Sequence, residues 1–229
     1  MENEIKRILL ANGADVCGIA GEERFSVFPE GFSPRDIFPD CRSVISFVAA
    51  IPRGLYDVSP RLVYGAFNTL TSNETDKTAL FCAKEIERRF SCRAVPMSSD
   101  GPYEYWDAEQ KKGKGLVSVK DAAVAAGLGQ LGKSGLLLNP VYGNTLAIGL
   151  ILCDLPLRSD EPSESVCKDG CKKCIESCPV GAIREGEVVQ KLCRENSYGK
   201  NARGFDTVNC NRCRTVCPVR FGKQKTAKL

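Results

Sequence analysis

The order of apolar segments predicts an α+β fold followed by a small cysteine-rich domain. Three observations carry this expectation. In the first two thirds of the chain, helical and strand-like segments follow one another in mixed order rather than strict βα alternation, which favours α+β over a doubly wound sheet. Between Leu157 and Ser165 the composition turns polar, with Pro156 and Pro162 as breakers. This sets a boundary between a domain over residues 1–157 and a second over 158–229. Eight of the thirteen cysteines fall beyond residue 166.

The elements follow in order. Residues 2–13 read as a short amphipathic helix with Ile5, Ile8 and Leu9 on one face and Gly13 at its end. Asp15–Ala20 and Ser43–Ile51 read as strands, separated by a connection rich in Pro and Phe. Asn73 or Thr75 is the expected cap of a helix reaching Phe90, and Cys92–Val95 reads as a further strand. Pro96–Gly115 is a polar, glycine-rich loop holding Tyr103, Tyr105 and Trp106, aromatics placed to cover something. Val119–Ala126 is an alanine-rich helix stopped by Gly127. Leu136–Leu138 and Leu146–Cys153 read as buried strands joined by a turn at 139–144.

Composition excludes several chemistries. The chain of 229 residues has no histidine. That removes His-based acid–base catalysis, Cys-His zinc, Rieske-type ligation and His-ligated haem. The longest apolar stretch, 146–157, is interrupted by Gly149 and Asp154 and is too short to span a bilayer. The acidic start, Met-Glu-Asn-Glu, is unlike an export signal, so a cytoplasmic protein without a membrane partner is expected. From Arg158 onward fifteen Lys and Arg stand against nine Asp and Glu, and after Asp206 only basic charges follow: Arg212, Arg214, Arg220, Lys223, Lys225 and Lys228. The expectation is compensation of an anionic cofactor and a solvated tail. The alternatives are docking of an acidic electron donor, of ferredoxin or flavodoxin type, or of nucleic acid phosphate, the last having least support.

The cysteines carry the chemistry. One group is Cys167-x3-Cys171-x2-Cys174-x3-Cys178-Pro179; the other is Cys193, then Cys210-x2-Cys213-x3-Cys217-Pro218. Closely spaced thiolates on a tight loop face one cluster, whereas the cysteine before proline starts a new turn and serves the other cluster, as in two-cluster bacterial ferredoxins. This crossover gives Cys167, Cys171, Cys174 and Cys217 to a first [4Fe–4S] cluster, and Cys178, Cys193, Cys210 and Cys213 to a second. No cysteine of the set is left over. The three-residue gap after Cys167 is one longer than usual, with Gly170 placed to absorb it. Two zinc sites would use paired C-x2-C knuckles without the Cys-Pro endings. Cys17, Cys41, Cys82, Cys92 and Cys153 are expected as small core hydrophobes.

Residues 127–134, GLGQLGKS, match both G-x-G-x-x-G and G-x4-G-K-S. Both phosphate-binding motifs need a strand before and a helix after. Here a helix precedes and Gly135-Leu-Leu-Leu-Asn-Pro140 leaves no room for another, so nucleotide hydrolysis is not expected. Backbone approach to a flat cofactor and a tight helix-to-strand turn remain equal alternatives.

The run AAGLGQLGKSGLLLNPVYG over 125–143, Asp154-Leu-Pro-Leu and the two Cys-Pro groups resemble epoxyqueuosine reductase, and more distantly the reductive dehalogenases. The resemblance covers roughly residues 40–220. It implies a nitroreductase-like N-terminal domain holding a base-off corrinoid (cobalamin) beside two cubanes, with a modified tRNA nucleoside as the family's substrate. It places the family's catalytic aspartate at position 113, where this chain has Gly113 between Lys112 and Lys114. The family's C-terminal helical-repeat extension is expected to be missing. The resulting expectation is an oxidoreductase passing electrons through two clusters to a corrinoid or substrate in the N-terminal domain. The alternative is a ferredoxin-like carrier whose N-terminal domain docks a partner. Candidate catalytic residues are Asp107 and Tyr103, with Tyr105 nearby; an exposed loop would undo them. Candidate cofactor contacts are Gly127, Gly129, Gly132, Lys133, Ser134 and Asn139.

Overall fold

A four-stranded antiparallel sheet organises the chain. The structure, a computed structural model, describes residues 1–58, 62–101, 103–184 and 187–223. Helix α1 (Glu2–Ala11) leads to β1 (Val16–Gly21), and a one-turn helix α2 (Pro34–Ile37) lies in the connection to β2 (Ser43–Ala50). The long α3 (Leu62–Phe90) precedes β3 (Ala94–Met97). A hairpin of β4 (Tyr105–Asp107) and β5 (Lys112–Lys114) comes next, then α4 (Val119–Ala125), a second hairpin of β6 (Gln130–Leu131) and β7 (Leu137–Leu138), and β8 (Leu146–Cys153). The sheet order is β1-β2-β8-β3.

Residue alternation on β2 and β8 builds two cores. Val44 and Val48 of β2, with Leu150 and Leu152 of β8, face α4. Ile45, Phe47 and Ile151 face α1 and α3, where Ile5, Leu9, Cys82 and Ile86 cover them. Phe47 lies opposite Gly149, and a Cβ at 149 would enter its ring. The alanines of α4 allow a similar closeness, since a Cβ at Gly18 would overlap the Ala126 carbonyl. Burial pushes the Cys41 and Cys82 thiols up to about 11 and Cys153 to about 12, as expected of inert core hydrophobes.

Three elements differ from expectation. Helix α3 begins at Leu62, well before Asn73. Its first turns are rich in Thr, Ser and Asn, which read as caps. Instead Thr69, Thr71, Ser72 and Thr75 bond the carbonyl four residues back, so the polar run stays helical. Second, Tyr105 and Trp106 form a hairpin with Lys112–Lys114 rather than an irregular loop. Third, β7 pairs with β6 and not with β8. Among the described residues no helix is long and apolar enough to cross a membrane.

Candidate functional site: two cysteine loops

After β8 the chain runs along β1, with Asp160 accepting from Ile19 N–H (2.9 Å) and pairing with Lys6. It then enters two similar loops. In the first, Cys171 closes a turn onto the Lys168 carbonyl (3.2 Å) with Gly170 at φ +70°. Cys174 sits in the one-turn helix α5 (Lys173–Glu176), and Cys178 follows it. The hairpin strands β9 (Ile183–Arg184) and β10 (Glu187–Val188) lead to α6 (Gln190–Ser197), which carries Cys193. Strands β11 (Tyr198–Lys200) and β12 (Asp206–Val208) bring in the second loop. There Cys210 precedes the one-turn helix α7 (Arg212–Thr215), Cys213 lies in it and Cys217 leaves it. Helices α5 and α7 pack together.

The eight cysteines beyond residue 166 are all half-buried. Cys217 shares a small apolar cluster with Cys167, Leu138, Val166 and Val219. Burial raises the Cys217 thiol, and beyond that Cys167, Cys174 and Cys171 raise it electrostatically. Burial likewise raises Cys174, with Cys167 and Cys171 adding to it. Cys213 is pushed up to about 11, first by burial, with Cys193 and Cys210 adding to it against Arg214. The sulfurs thus fall into two neighbourhoods, one of Cys167, Cys171, Cys174 and Cys217, the other of Cys193, Cys210 and Cys213. Cys178 is dominated by its own turn. Burial raises it, but the N–H groups of Val180, Ala182, Ile183 and Gly181 outweigh that and leave it below the ordinary value. One of them, Ala182 N–H, lies 3.2 Å from the sulfur.

The surroundings fit an anionic, sulfur-rich group. Among the described residues, four buried side-chain polar atoms have no partner: Asn144 Oδ1, Ser177 Oγ, and both Nδ2 and Oδ1 of Asn211. Ser177 adjoins Cys178 and Asn211 adjoins Cys210. Of these four atoms, Ser177 Oγ and Asn211 Nδ2 carry hydrogens that such a group would accept. No three Cys, Asp or Glu side chains among the described residues converge as ligands of one ion do. A cubane binds each thiolate at a separate iron and does not require that convergence.

The other candidates are placed differently. Gly127 has φ +75°, and a Cβ there would overlap the Glu161 carbonyl; one at Gly129 would overlap that of Leu138, and one at Gly132 would lie 2.7 Å from the Leu138 side chain. Lys133 Nζ donates to the Cys171 carbonyl (3.0 Å). Asn139 is buried, donating to the Leu128 carbonyl (2.6 Å) and accepting from Val141 and Tyr142 N–H. Ser134 lies half-buried in the tip of the β6–β7 hairpin. With α4 before the motif and the hairpin of β6 and β7 beginning within it, these residues form a tight turn, and Lys133 braces the first cysteine loop.

The aromatic hairpin does cover something: α6. Tyr103 and Trp106 stack (centroids 6.2 Å, 18°) with the Arg194 guanidinium over both rings, and Arg194 donates to the Tyr103 hydroxyl (3.1 Å). Gly113 N–H donates to Gln190 Oε1 (3.1 Å). A Cβ at Gly113 would stand 2.6 Å from the Tyr103 ring. Asp107 is exposed and its carboxylate caps the hairpin turn through Gln110 N–H (2.9 Å). Asp107 is thus not enclosed, and Tyr103 packs against Arg194 of α6. Of the basic tail, Arg214 points inward and Arg220 lies over Phe221 (4.7 Å), so neither belongs to a solvated stripe. Lys225 and Lys228 lie outside the described residues.

The structure is thus a mixed helix-and-sheet domain followed by a cysteine-rich segment. No protein-family model matches the chain. It is 27% identical over 241 aligned positions to the epoxyqueuosine reductase of Listeria monocytogenes (95% of this chain, 58% of that protein). It is 28% identical over 225 positions to that of Gloeobacter violaceus (91% and 66%). The chain spans about half the length of the curated relatives it matches. Among solved structures, an epoxyqueuosine reductase superposes with a TM-score of 0.68 at 19% identity, covering 97% of this chain and 66% of that one. One bound to an epoxyqueuosine-modified tRNA stem-loop gives 0.66 at 17% (97% and 66%). A catabolic reductive dehalogenase gives 0.71 at 20% (94% and 31%). Over most of its length the chain is thus similar to epoxyqueuosine reductases, and it shares their fold.

Proposed function

We propose that this protein is a cytoplasmic iron–sulfur oxidoreductase whose two [4Fe–4S] clusters relay low-potential electrons to an acceptor at the N-terminal domain. Cys167, Cys171, Cys174 and Cys217 hold one cluster, and Cys178, Cys193, Cys210 and Cys213 the other. The observation that carries this reading is the company Cys217 keeps. It is 43 positions beyond Cys174 in sequence, yet it packs in one small apolar cluster with Cys167 of the first loop. Each cubane, when bound, supplies one-electron transfer. The protein's part is to exclude water from the sulfurs and to aim N–H groups at them, as the Cys178 turn does. Residues 158–229 as a separate cluster domain are part of the same proposal, with Lys133 bracing it against the N-terminal half. The electron source would be a ferredoxin- or flavodoxin-type donor.

The family relatives suggest a corrinoid, and one solved relative concerns B12-dependent dehalogenation. One recess, lined by Ile51, Arg53, Tyr142 and Thr145, holds about 260 Å³, below the usual range for small-molecule sites. No step is routed through a corrin. Gly113, packed under Tyr103, and the exposed Asp107 favour a second reading, an electron carrier without its own proton donor. Nucleic acid, bound by one solved relative, is a third acceptor class with little support in this chain's basic residues.

Anaerobic reconstitution with iron, sulfide and hydroxocobalamin, followed by gel filtration, separates these readings. The reductase reading gains its corrinoid form if cobalt co-elutes one to one with a base-off spectrum. Iron without cobalt leaves the carrier reading ahead.

A further inference from the structure

Arg214 is a half-buried cation with no carboxylate partner among the described residues. Its Nη1 donates to the Asn144 carbonyl (2.6 Å) and meets the Tyr56 hydroxyl (3.3 Å), which also donates to that carbonyl (3.0 Å). Among the described residues no carboxylate pairs with it; its charge-bearing neighbours are the phenols of Tyr56 and Tyr64 and the Cys213 thiol. A guanidinium stays protonated throughout the pH range of a folded protein, so this charge is fixed. A charge drawn out of water without its counter-ion is destabilising. Nearby in sequence, both side-chain amide atoms of Asn211 are buried and unpartnered. In sequence, Asn211 and Arg214 flank Cys213, and the Asn211 Nδ2 hydrogens are donors that an anion there would accept.

We propose that Arg214 is the fixed counter-charge of the second cluster and holds its reduction potential up. This rests on the reading that Cys213 is a cluster ligand. A one-electron reduction adds a negative charge to the cluster, so a nearby fixed cation stabilises the reduced form more than the oxidised one. Arg214 touches neither acceptor nor substrate; it is a positioning residue acting through the Cys213 side.

The test is an EPR-monitored redox titration, with iron counts, of the reconstituted full chain as wild type, Arg214→Gln and Arg214→Lys. The expected result is a negative shift of one cluster's midpoint in the Gln variant, the other unmoved, with the Lys variant near wild type. Loss of one cluster's iron in the Gln variant alone would also support the counter-charge. Equal midpoints at full iron in all three overturn the proposal, as does equal iron loss in both variants, which marks a packing role. A wild type that holds no second cluster overturns the underlying reading, and the proposal with it.

Discussion

Cys217→Ser is expected to match Cys174→Ser, not its near neighbour Cys213→Ser. Each replacement removes one thiolate from one cubane, so iron falls from about eight to about four per chain in every case. The surviving signal tells them apart. If Cys217 crosses to the first loop, its variant keeps the second cluster and shows the EPR spectrum of the Cys174 variant. Cys213→Ser keeps the first cluster and shows the other spectrum. The physical ground is the geometry of the Cys-Pro ending. Cys217 leaves α7, shares an apolar cluster with Cys167 and feels the first-loop sulfurs, while Cys213 feels Cys193 and Cys210. Cys41→Ala is the control and should keep all its iron, because that thiol is buried in the core. A Cys217 variant with the Cys213 spectrum would mean each loop binds its own cluster without crossover.

Gly143→Val is expected to destabilise the protein by about 3 kcal/mol or more, combining positive-φ strain with backbone overlap. Gly143 has φ +60°, and a Cβ there would overlap the backbone of Val219 and Arg220. It sits in the turn where the two halves of the chain meet. Asn144 N–H and Thr145 Oγ both donate to the Arg220 carbonyl (3.2 and 2.5 Å), and Lys223 N–H to that of Pro140 (2.7 Å). The valine therefore pushes the second cysteine loop off its support, and iron retention should fall together with the urea midpoint. Gly181→Ala, at φ +58° with open space around it, should cost only about 1 kcal/mol and keep its iron. Equal midpoints for the two variants would mean that the turn bears no load between the halves.

Much of this architecture was legible in sequence because it rests on periodicity and spacing. Ile5, Ile8 and Leu9 mark α1, the alternation on β2 marks both cores, and the Cys-Pro endings mark the two loops. That the glycine motif is no phosphate-binding loop was legible because nothing around it has strand-then-helix order. What stayed hidden depends on partners far away in sequence. Thr75 read as a cap because a hydroxyl bonding back along a helix looks the same in sequence as one ending it. Arg214 looked like part of a basic tail, because nothing local says that Tyr56 and Asn144 bond it. Asp107 looked like a candidate acid by composition alone, and only its Gln110 bond assigns it to the turn. Gly113 is the instructive case. Its identity was visible, but the Tyr103 ring that occupies the space of a side chain comes from the hairpin docking on α6.

The central claim is two cubanes on eight cysteines, and the most direct measurement is iron, sulfide and zinc per chain after anaerobic reconstitution, with EPR of the dithionite-reduced protein. The account predicts about eight irons, about eight sulfides and the spectrum of two interacting reduced clusters. About two zincs with no acid-labile sulfide would contradict it.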